Sequence, residues 1–241
     1  MIQKFSDDLN SNIQTLIKFK KLNFINLNPE IKNYLGDVRS LLNSTGLSHN
    51  SIDLAITSPP YATALPYVDT DRLSLYIFGY TQRDSFRKLE SSLIGNREIT
   101  KKKRELLDAE LEKNFTNSIL PNEIIRLLER IYNLNKNSNV GFRRKNTAAL
   151  LFKYFIDMDQ SMKQMQSVLK TNKYYFMVIG NNKTTAGDED ISIPTVDFIG
   201  QIAECNGFNL CRKIDMTIQK SYMIHAKNAI NSESILILRK K

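Results

Sequence analysis

The 241 residues suffice for one α/β domain with an appended segment, and 34 Lys or Arg against 25 Asp or Glu give a net charge of +9. Such an excess favours a polyanionic partner such as nucleic acid, although charge that is only solvated surface is the alternative. No stretch approaches the ~20 apolar residues of a membrane helix, and the N-terminus has no signal-peptide core. These features predict a soluble, cytoplasmic protein that is not in a membrane.

Three short elements precede the first informative motif. The pattern predicts a helix over Ile13–Leu22, the end of a short strand at Tyr34–Asp37 and a helix over Ser40–Leu47. The apolar run Ile52–Thr57 then predicts a strand, and Arg72–Gly79 begins the helix that follows it. Residues 1–30 suggest no role.

The predicted strand Ile52–Thr57 runs into Ser58-Pro59-Pro60-Tyr61 and must end there, because proline offers no N–H to a sheet. Open α/β sheets bind ligands beyond the carboxyl ends of their strands. A flat base with an exocyclic amine needs acceptors in the plane of its NH2 group and an aromatic ring on its face. Ser58 Oγ, the Pro59 carbonyl and the Tyr61 ring can supply these contacts. The candidate catalytic residues are therefore Ser58, Pro59, Pro60 and Tyr61, and an ordinary turn after a strand is the alternative.

Residues 53–61 resemble motif IV of the S-adenosylmethionine-dependent amino-methyltransferases that modify DNA bases. The Ser-Pro-Pro-Tyr form is typical of cytosine-N4 enzymes, whereas Asp-Pro-Pro-Tyr or Asn-Pro-Pro-Tyr is commoner in adenine-N6 enzymes. The resemblance implies a base flipped out of double-stranded DNA, with Tyr61 replacing part of its lost stacking. It also implies S-adenosyl-L-methionine as the cofactor, and it requires no metal.

Weaker segments extend the resemblance in both directions. Gly36-Asp37-Val38-Arg39 is similar to the family segment whose Asp lies near the cofactor adenine, so Asp37 and Thr57 are candidate cofactor contacts. Ala62–Leu75 and Leu93–Arg97 resemble one bacterial branch of the family, and Tyr174–Asn182 resembles a core strand with its functional loop. Asn181 and Asn182 can line the base pocket or steady the motif loop, but asparagine equally suits a turn after a strand without further role.

The stretch from Gln82 to Asn146 is predicted to be a charged helical insertion. Between Arg83 and Asn146 it carries 15 Lys or Arg against 9 Asp or Glu, an excess of 15 − 9 = +6. Apolar residues at helical spacing predict packing faces, and charge runs on helices are usually solvated. Because the excess is local, a DNA-contacting arm is favoured over solvation. Its candidate contacts are Lys101, Lys102, Lys103, Arg104, Arg143 and Arg144.

The last third predicts the rest of an α/β core. An apolar stripe from Leu151 to Leu169 predicts a helix against the sheet. The elements that follow are a strand over Tyr174–Ile179, a polar loop over Asn181–Ser192, a helix over Thr195–Asn206 and an antiparallel hairpin of Leu210–Gln219 with Ser234–Arg239. Cys205 and Cys211 fit neither a zinc nor a disulfide pattern and are predicted to be buried or half-buried.

The predicted fold is therefore an α/β three-layer, Rossmann-like methyltransferase sandwich with a helical insertion. Its parts are residues 1–81 with the motif, the insertion 82–146 and the core piece 147–241. None of the nine glycines forms the Phe-x-Gly-x-Gly-type loop with which the family approaches its cofactor, so the sandwich is incomplete at the cofactor half.

Three hypotheses follow from this incomplete pattern. The chain is the base-binding subunit of a split DNA methyltransferase whose partner chain carries the glycine loop, or it is an inert DNA-binding remnant, or it is an RNA or protein methyltransferase that reuses the Pro-Pro-Tyr pocket. Ser58 and the downstream stretch favour the first hypothesis, and the intact motif argues against a remnant.

Overall fold

The computed structural model describes residues 2–22, 30–62, 67–217 and 232–241. The chain divides into two compact units, Met1–Tyr34 and Leu35–Lys241, and each is described by itself. In the first unit, the helix predicted over Ile13–Leu22 is part of the longer helix α1 (Ile2–Leu22). Residues 63–66 of the family-like stretch and residues 218–219 of a predicted strand lie outside the described residues.

The second unit is a mixed α/β fold, which confirms the predicted α/β class. After a 3-10 turn at Val38–Ser40, its helices are α2 (Leu41–Thr45), α3 (Tyr67–Ile77), α4 (Arg83–Ser92), α5 (Lys101–Asn114), α6 (Asn122–Lys136), α7 (Phe142–Lys145), α8 (Thr147–Val168) and α9 (Thr195–Cys205). Its strands are β1 (Ile52–Thr57), β2 (Leu169–Gly180), β3 (Asn182–Ala186), β4 (Glu189–Ile193), β5 (Phe208–Thr217) and β6 (Ser232–Lys240).

Four of these strands form the central sheet, in the order β1-β2-β6-β5. The strand β1 is parallel to β2, with Leu54 beside Tyr174 and Ile56 beside Phe176. The strand β6 lies antiparallel between β2 and β5, so the predicted terminal hairpin is confirmed, with β5 at the sheet edge. Because β1 and β2 are parallel, the residues that follow Thr57 and Gly180 lie at the same end of the two strands, the carboxyl end.

One face of this sheet packs against helices and forms the core. The predicted stripe on α8 is confirmed, since Leu151, Phe155, Met158 and Met162 are all buried. Two helices of the insertion, α5 and α6, pack against α8, and the side chains facing it belong to the same apolar core. Residues 101–114 and 122–136 are thus helical and packed onto the core helix.

Three local predictions are wrong. Tyr34–Asp37 does not end a strand, because the Asp37 carboxylate accepts from the Arg39 backbone N–H and starts the 3-10 turn. The polar loop at 181–192 is the hairpin β3–β4, whose alternate residues Ile191 and Ile193 are buried. Cys205 and Cys211 are both exposed, at the end of α9 and on the edge strand β5.

Candidate functional site

The motif loop, residues Ser58–Ala62, follows directly from β1 and descends from the surface into the core. Ser58 is exposed, Pro59 and Pro60 are half-buried, and Tyr61 and Ala62 are 6% and 0% exposed. The two prolines fix φ in the middle of the loop. The backbone between exposed Ser58 and buried Tyr61 therefore has little conformational freedom. The accessible polar part of the loop is therefore at Ser58 and Pro59.

The first residue of β3 holds the buried end of the motif loop. The side-chain Nδ2 of Asn182, just after β2, donates to the carbonyl oxygen of Ala62, while its Oδ1 accepts from the Lys183 backbone N–H at 2.8 Å. Asn181 has another function, because its Oδ1 accepts from the Val196 backbone N–H at 3.0 Å and so caps α9. Of the two asparagines, Asn182 is the one that steadies the motif loop.

Tyr61 is anchored at both ends. Its ring belongs to the apolar core, and its hydroxyl donates to the carboxylate of Glu233 on β6. Glu233 was not identified from the sequence. The sequence signal for Glu233 was a carboxylate at the start of a strand that is otherwise apolar at alternate positions. The pairing of Glu233 with Gly180 on β2 could not be predicted from the sequence.

Asp37, the predicted cofactor contact, is held by Arg39. Both carboxylate oxygens of Asp37 accept from the guanidinium, at 2.5–3.1 Å, and this hydrogen bonding holds the pKa of Asp37 below its usual range. The same bonds with Asp37 hold the pKa of Arg39 above its usual range. Arg39 Nη1 also donates to Asp157 on α8 at 2.8 Å. Sequence reasoning placed Arg39 in the Gly-Asp-x-Arg segment but gave it no role.

The predicted basic cluster at the start of α5 divides into two parts. Lys101, Lys102 and Lys103 are exposed, whereas the Arg104 side chain is 14% exposed, lies 3.6 Å from Asp108 and stacks over the ring of Phe142. The three lysines occupy the first turn of a helix, where positive charge opposes the helix dipole and costs stability. Local helix stability therefore does not account for them.

The second basic cluster is engaged within the chain. Arg143 pairs with Glu98 at 2.9 Å, and Arg144 Nη1 donates to the carbonyl oxygen of Gly187 at 3.2 Å. Both side chains remain exposed, but their hydrogen bonds tie α7 to neighbouring segments. They are weaker candidates for phosphate contacts than the α5 lysines.

The described residues contain neither a membrane-spanning helix nor a metal-binding cluster. No helix in ranges 2–22, 30–62, 67–217 and 232–241 is long and apolar enough to cross a membrane. Within the same part of the chain, no three His, Cys, Asp or Glu side chains are grouped so that they could hold a metal ion.

Comparison with known proteins gives partial matches to DNA methyltransferases. No protein-family model matches the chain. The sequence is 23% identical over 150 residues to the type II methyltransferase M.MvaI of Kocuria varians, a match that covers 62% of this chain and 30% of that protein. This chain therefore matches less than a third of the length of that curated relative.

Solved structures also match the chain, again over only part of their own length. Two structures of TTHA0409 from Thermus thermophilus, described as a DNA modification methylase, match with TM-scores of 0.38 and 0.41 and identities of 16% and 15%. The second structure is a complex with S-adenosyl-L-methionine. The matches cover 85% and 86% of this chain but 50% and 51% of the other chain.

Proposed function

We propose that this chain is the base-binding part of an S-adenosylmethionine-dependent DNA amino-methyltransferase that acts on the N4 amine of a flipped cytosine. One observation carries the proposal: Ser58-Pro59-Pro60-Tyr61 lies at the carboxyl end of β1 with its polar end accessible and its aromatic end anchored. The partial likeness to the type II methyltransferase of Kocuria varians supports the same class of enzyme.

The reacting amine needs acceptors, because the N4 lone pair of cytosine is delocalised into the ring. Ser58 Oγ and the Pro59 carbonyl oxygen are proposed to accept its two hydrogens. This hydrogen bonding favours a pyramidal nitrogen with a localised lone pair and stabilises the positive charge that develops on the nitrogen. The nitrogen releases its surplus proton to solvent, since neither acceptor oxygen is basic enough to keep it.

The role of Tyr61 is proposed in two parts. In the described conformation its ring is covered and its hydroxyl is bonded to Glu233, so Tyr61 anchors the loop. Stacking on a flipped base, worth ~1–3 kcal/mol at exposed aromatic sites, requires that one face of the ring is uncovered when DNA binds.

The cofactor is proposed to bind with help from a second polypeptide. S-adenosyl-L-methionine would supply an electrophilic methyl group. Two residues were predicted to contact the cofactor, Asp37 and Thr57. Thr57 is the last residue of β1. Both carboxylate oxygens of Asp37 already accept hydrogen bonds from Arg39. The described residues thus do not by themselves fit a complete cofactor site, and the sequence has no glycine-rich loop to complete one.

The exposed side of β1 supports this partner. Among the described residues, β1 pairs with β2 on one side and with no strand on the other. Leu54 and Ile56 on β1 are 51% and 71% exposed, and Tyr174 beside Leu54 is 40% exposed. An exposed apolar strand at an open sheet edge invites pairing with another chain. We propose that the partner extends the sheet there and carries the glycine-rich loop.

Calorimetric titration tests the division of the cofactor site. The isolated chain should bind S-adenosyl-L-methionine weakly or not at all, and the affinity should rise when the product of a neighbouring open reading frame with a Phe-x-Gly-x-Gly loop is added. Micromolar binding by the isolated chain would contradict the split site while leaving the base pocket proposal intact.

Single-turnover methylation tests the base pocket itself. Ser58→Ala in the active complex should slow methyl transfer by about 10²-fold, the scale of one lost hydrogen bond to a developing charge, with little change in DNA affinity. Ser91→Ala, an exposed serine on α4, is the matched control and should transfer methyl groups at the parent rate. Equal rates for the two variants would contradict the role of Ser58.

A further inference from the structure

Residues Leu93–Arg97, between α4 and α5, form a loop that packs directly on the motif loop. Gly95 has φ of +74°, and a Cβ added there would lie 3.0 Å from Pro60 Cβ and 3.4 Å from the Tyr61 carbonyl oxygen. Glycine alone combines this left-handed conformation with so close an approach at little cost. Gly95 and Asn96 are buried, and Asn96 Nδ2 donates to the Glu98 carbonyl oxygen at 2.9 Å, which closes the loop.

Two cations hold the start of this loop by its backbone. Arg39 Nη2 donates to the Ser92 carbonyl oxygen at 2.7 Å, and Lys153 Nζ donates to the Leu93 carbonyl oxygen at 2.9 Å. Both cations also contact Asp157 on α8, at 2.8 Å for Arg39 Nη1 and 2.6 Å for Lys153 Nζ. The loop is thus tied by both carbonyls to one carboxylate on the core helix.

The three charged side chains are largely removed from solvent. Arg39, Lys153 and Asp157 are 19%, 12% and 8% exposed. Burying ion pairs contributes little net stability, because desolvation offsets the attraction, but it fixes geometry. The cluster is therefore better suited to setting the position of the loop than to stabilising the fold.

The direction of the Pro59 carbonyl depends on Pro60. The carbonyl group of Pro59 and the nitrogen and Cα of Pro60 lie in one peptide plane. A contact that fixes the Pro60 ring therefore also fixes the plane of the Pro59 oxygen, which is a proposed acceptor for the base amine.

We propose that Leu93–Arg97 is a positioning loop for the Pro59 carbonyl, with Gly95 as the contact on Pro60 and with Arg39, Lys153 and Asp157 as its anchors. This inference rests on the proposed function of the motif loop. On this proposal the stretch 82–146 has two roles. Its basic cluster contacts DNA, and its loop Leu93–Arg97 supports the base pocket.

Gly95→Ala and Gly79→Ala make a matched pair for the test. Gly79 has φ of +70° with no atom within 4 Å of an added Cβ, so both variants strain the backbone but only Gly95→Ala presses on Pro60. Hydrogen–deuterium exchange of the full chain measures the amides of Ser58, Tyr61 and Ala62. Exchange there should become faster in Gly95→Ala and stay at the parent rate in Gly79→Ala.

Lys153→Met is the second variant, in case Gly95→Ala does not fold. It releases the Leu93 carbonyl while Asp157 keeps Arg39, and it should also speed exchange in the motif loop. Lys153→Arg should restore much of the protection. Unchanged exchange in the folded variants would overturn the positioning role, whether or not the chain methylates DNA.

Single-turnover methylation by the chain with its partner gives the functional reading. Gly95→Ala should slow transfer by about 10²-fold with DNA affinity unchanged, as expected for a misplaced acceptor, and Gly79→Ala should not. Faster exchange with a parent rate of transfer would overturn the proposal. If the parent complex transfers no methyl group, the proposed function fails, and the exchange measurement alone decides whether the loop positions the motif.

Discussion

Asn182 donates its side-chain amide to the carbonyl oxygen of Ala62, and this bond joins the loop that follows β1 to the first residue of β3. The motif loop is thereby fixed at its buried end by a residue 120 positions away in the chain. The Glu233 carboxylate adds a third segment through the Tyr61 hydroxyl. The loop is held by residues from two other strands as well as by its prolines.

Asn182→Ala should lower the free energy of unfolding by ~1–3 kcal/mol, because it leaves the buried Ala62 carbonyl without this donor. Urea unfolding measures the change. Asn133→Ala, an exposed position on α6, is the control and should stay within about 0.5 kcal/mol of the parent. Equal effects at both positions would argue that the Asn182 bond contributes nothing specific.

Tyr61→Phe keeps the ring in the core and removes the hydroxyl that donates to Glu233. A hydrogen bond to a charged group contributes ~1.5–3 kcal/mol, and the variant should lose an amount of that order in stability. A double-mutant cycle with Glu233→Ala isolates the coupling between the two side chains. Additive effects, with no coupling, would show that the anchor is not formed in solution.

Replacing Lys101, Lys102 and Lys103 by Ala should weaken DNA binding and reduce its dependence on salt. Each phosphate contact that is lost lowers the slope of log K against log salt by ~0.9. A triple variant of Lys163, Lys170 and Lys173 changes the net charge equally, and those lysines pair with Asp159 or Asp53. An identical slope of log K against log salt for the two triple variants would indicate that the α5 lysines are solvated and contact no phosphate.

Asp108 should make stability fall as pH rises. Burial, opposed by Arg104, raises the pKa of Asp108 from 3.8 to about 6, and its Oδ1 is buried without a hydrogen-bond partner in the structure. Between these two values the folded chain binds more protons than the unfolded chain, so stability is lost across that window and the loss is complete above about pH 6.

Asp108→Asn removes this loss. The melting temperature of the variant relative to the parent should therefore rise between about pH 4 and pH 6 and then level off. Glu110→Gln, exposed on the same helix, changes the net charge equally and serves as the control. A relative melting temperature that does not depend on pH would contradict the raised pKa of Asp108.

Periodicity and proline chemistry predicted much of the fold. The strand before the motif, the stripe on α8 and the pairing of the two terminal strands all follow from local patterns that tertiary packing reinforces. The β3–β4 hairpin was missed because its polar residues alternate with few apolar ones, and backbone pairing defines it. The two cysteines were placed inside on residue type alone, although they sit at a helix end and on an edge strand.

The candidate site was predicted only where it is local in sequence. Ser58–Tyr61 could be identified from the motif, but Glu233 and Asp157 are 172 and 118 positions from their partners Tyr61 and Arg39. Such contacts depend on strand order and on which helix faces meet. The sequence resemblance indicated Leu93–Arg97, yet the approach of Gly95 to Pro60 requires the folded chain.

Identification of the methylated nucleoside tests the central proposal most directly. The chain is expressed with and without the partner reading frame in a host that lacks DNA methyltransferases, and the host DNA is hydrolysed and analysed by mass spectrometry. N4-methylcytosine should appear only with both chains present and should be strongly reduced by Ser58→Ala. N6-methyladenine instead would contradict the assignment of the base, and no methylated base from the folded, assembled pair would contradict the proposed function.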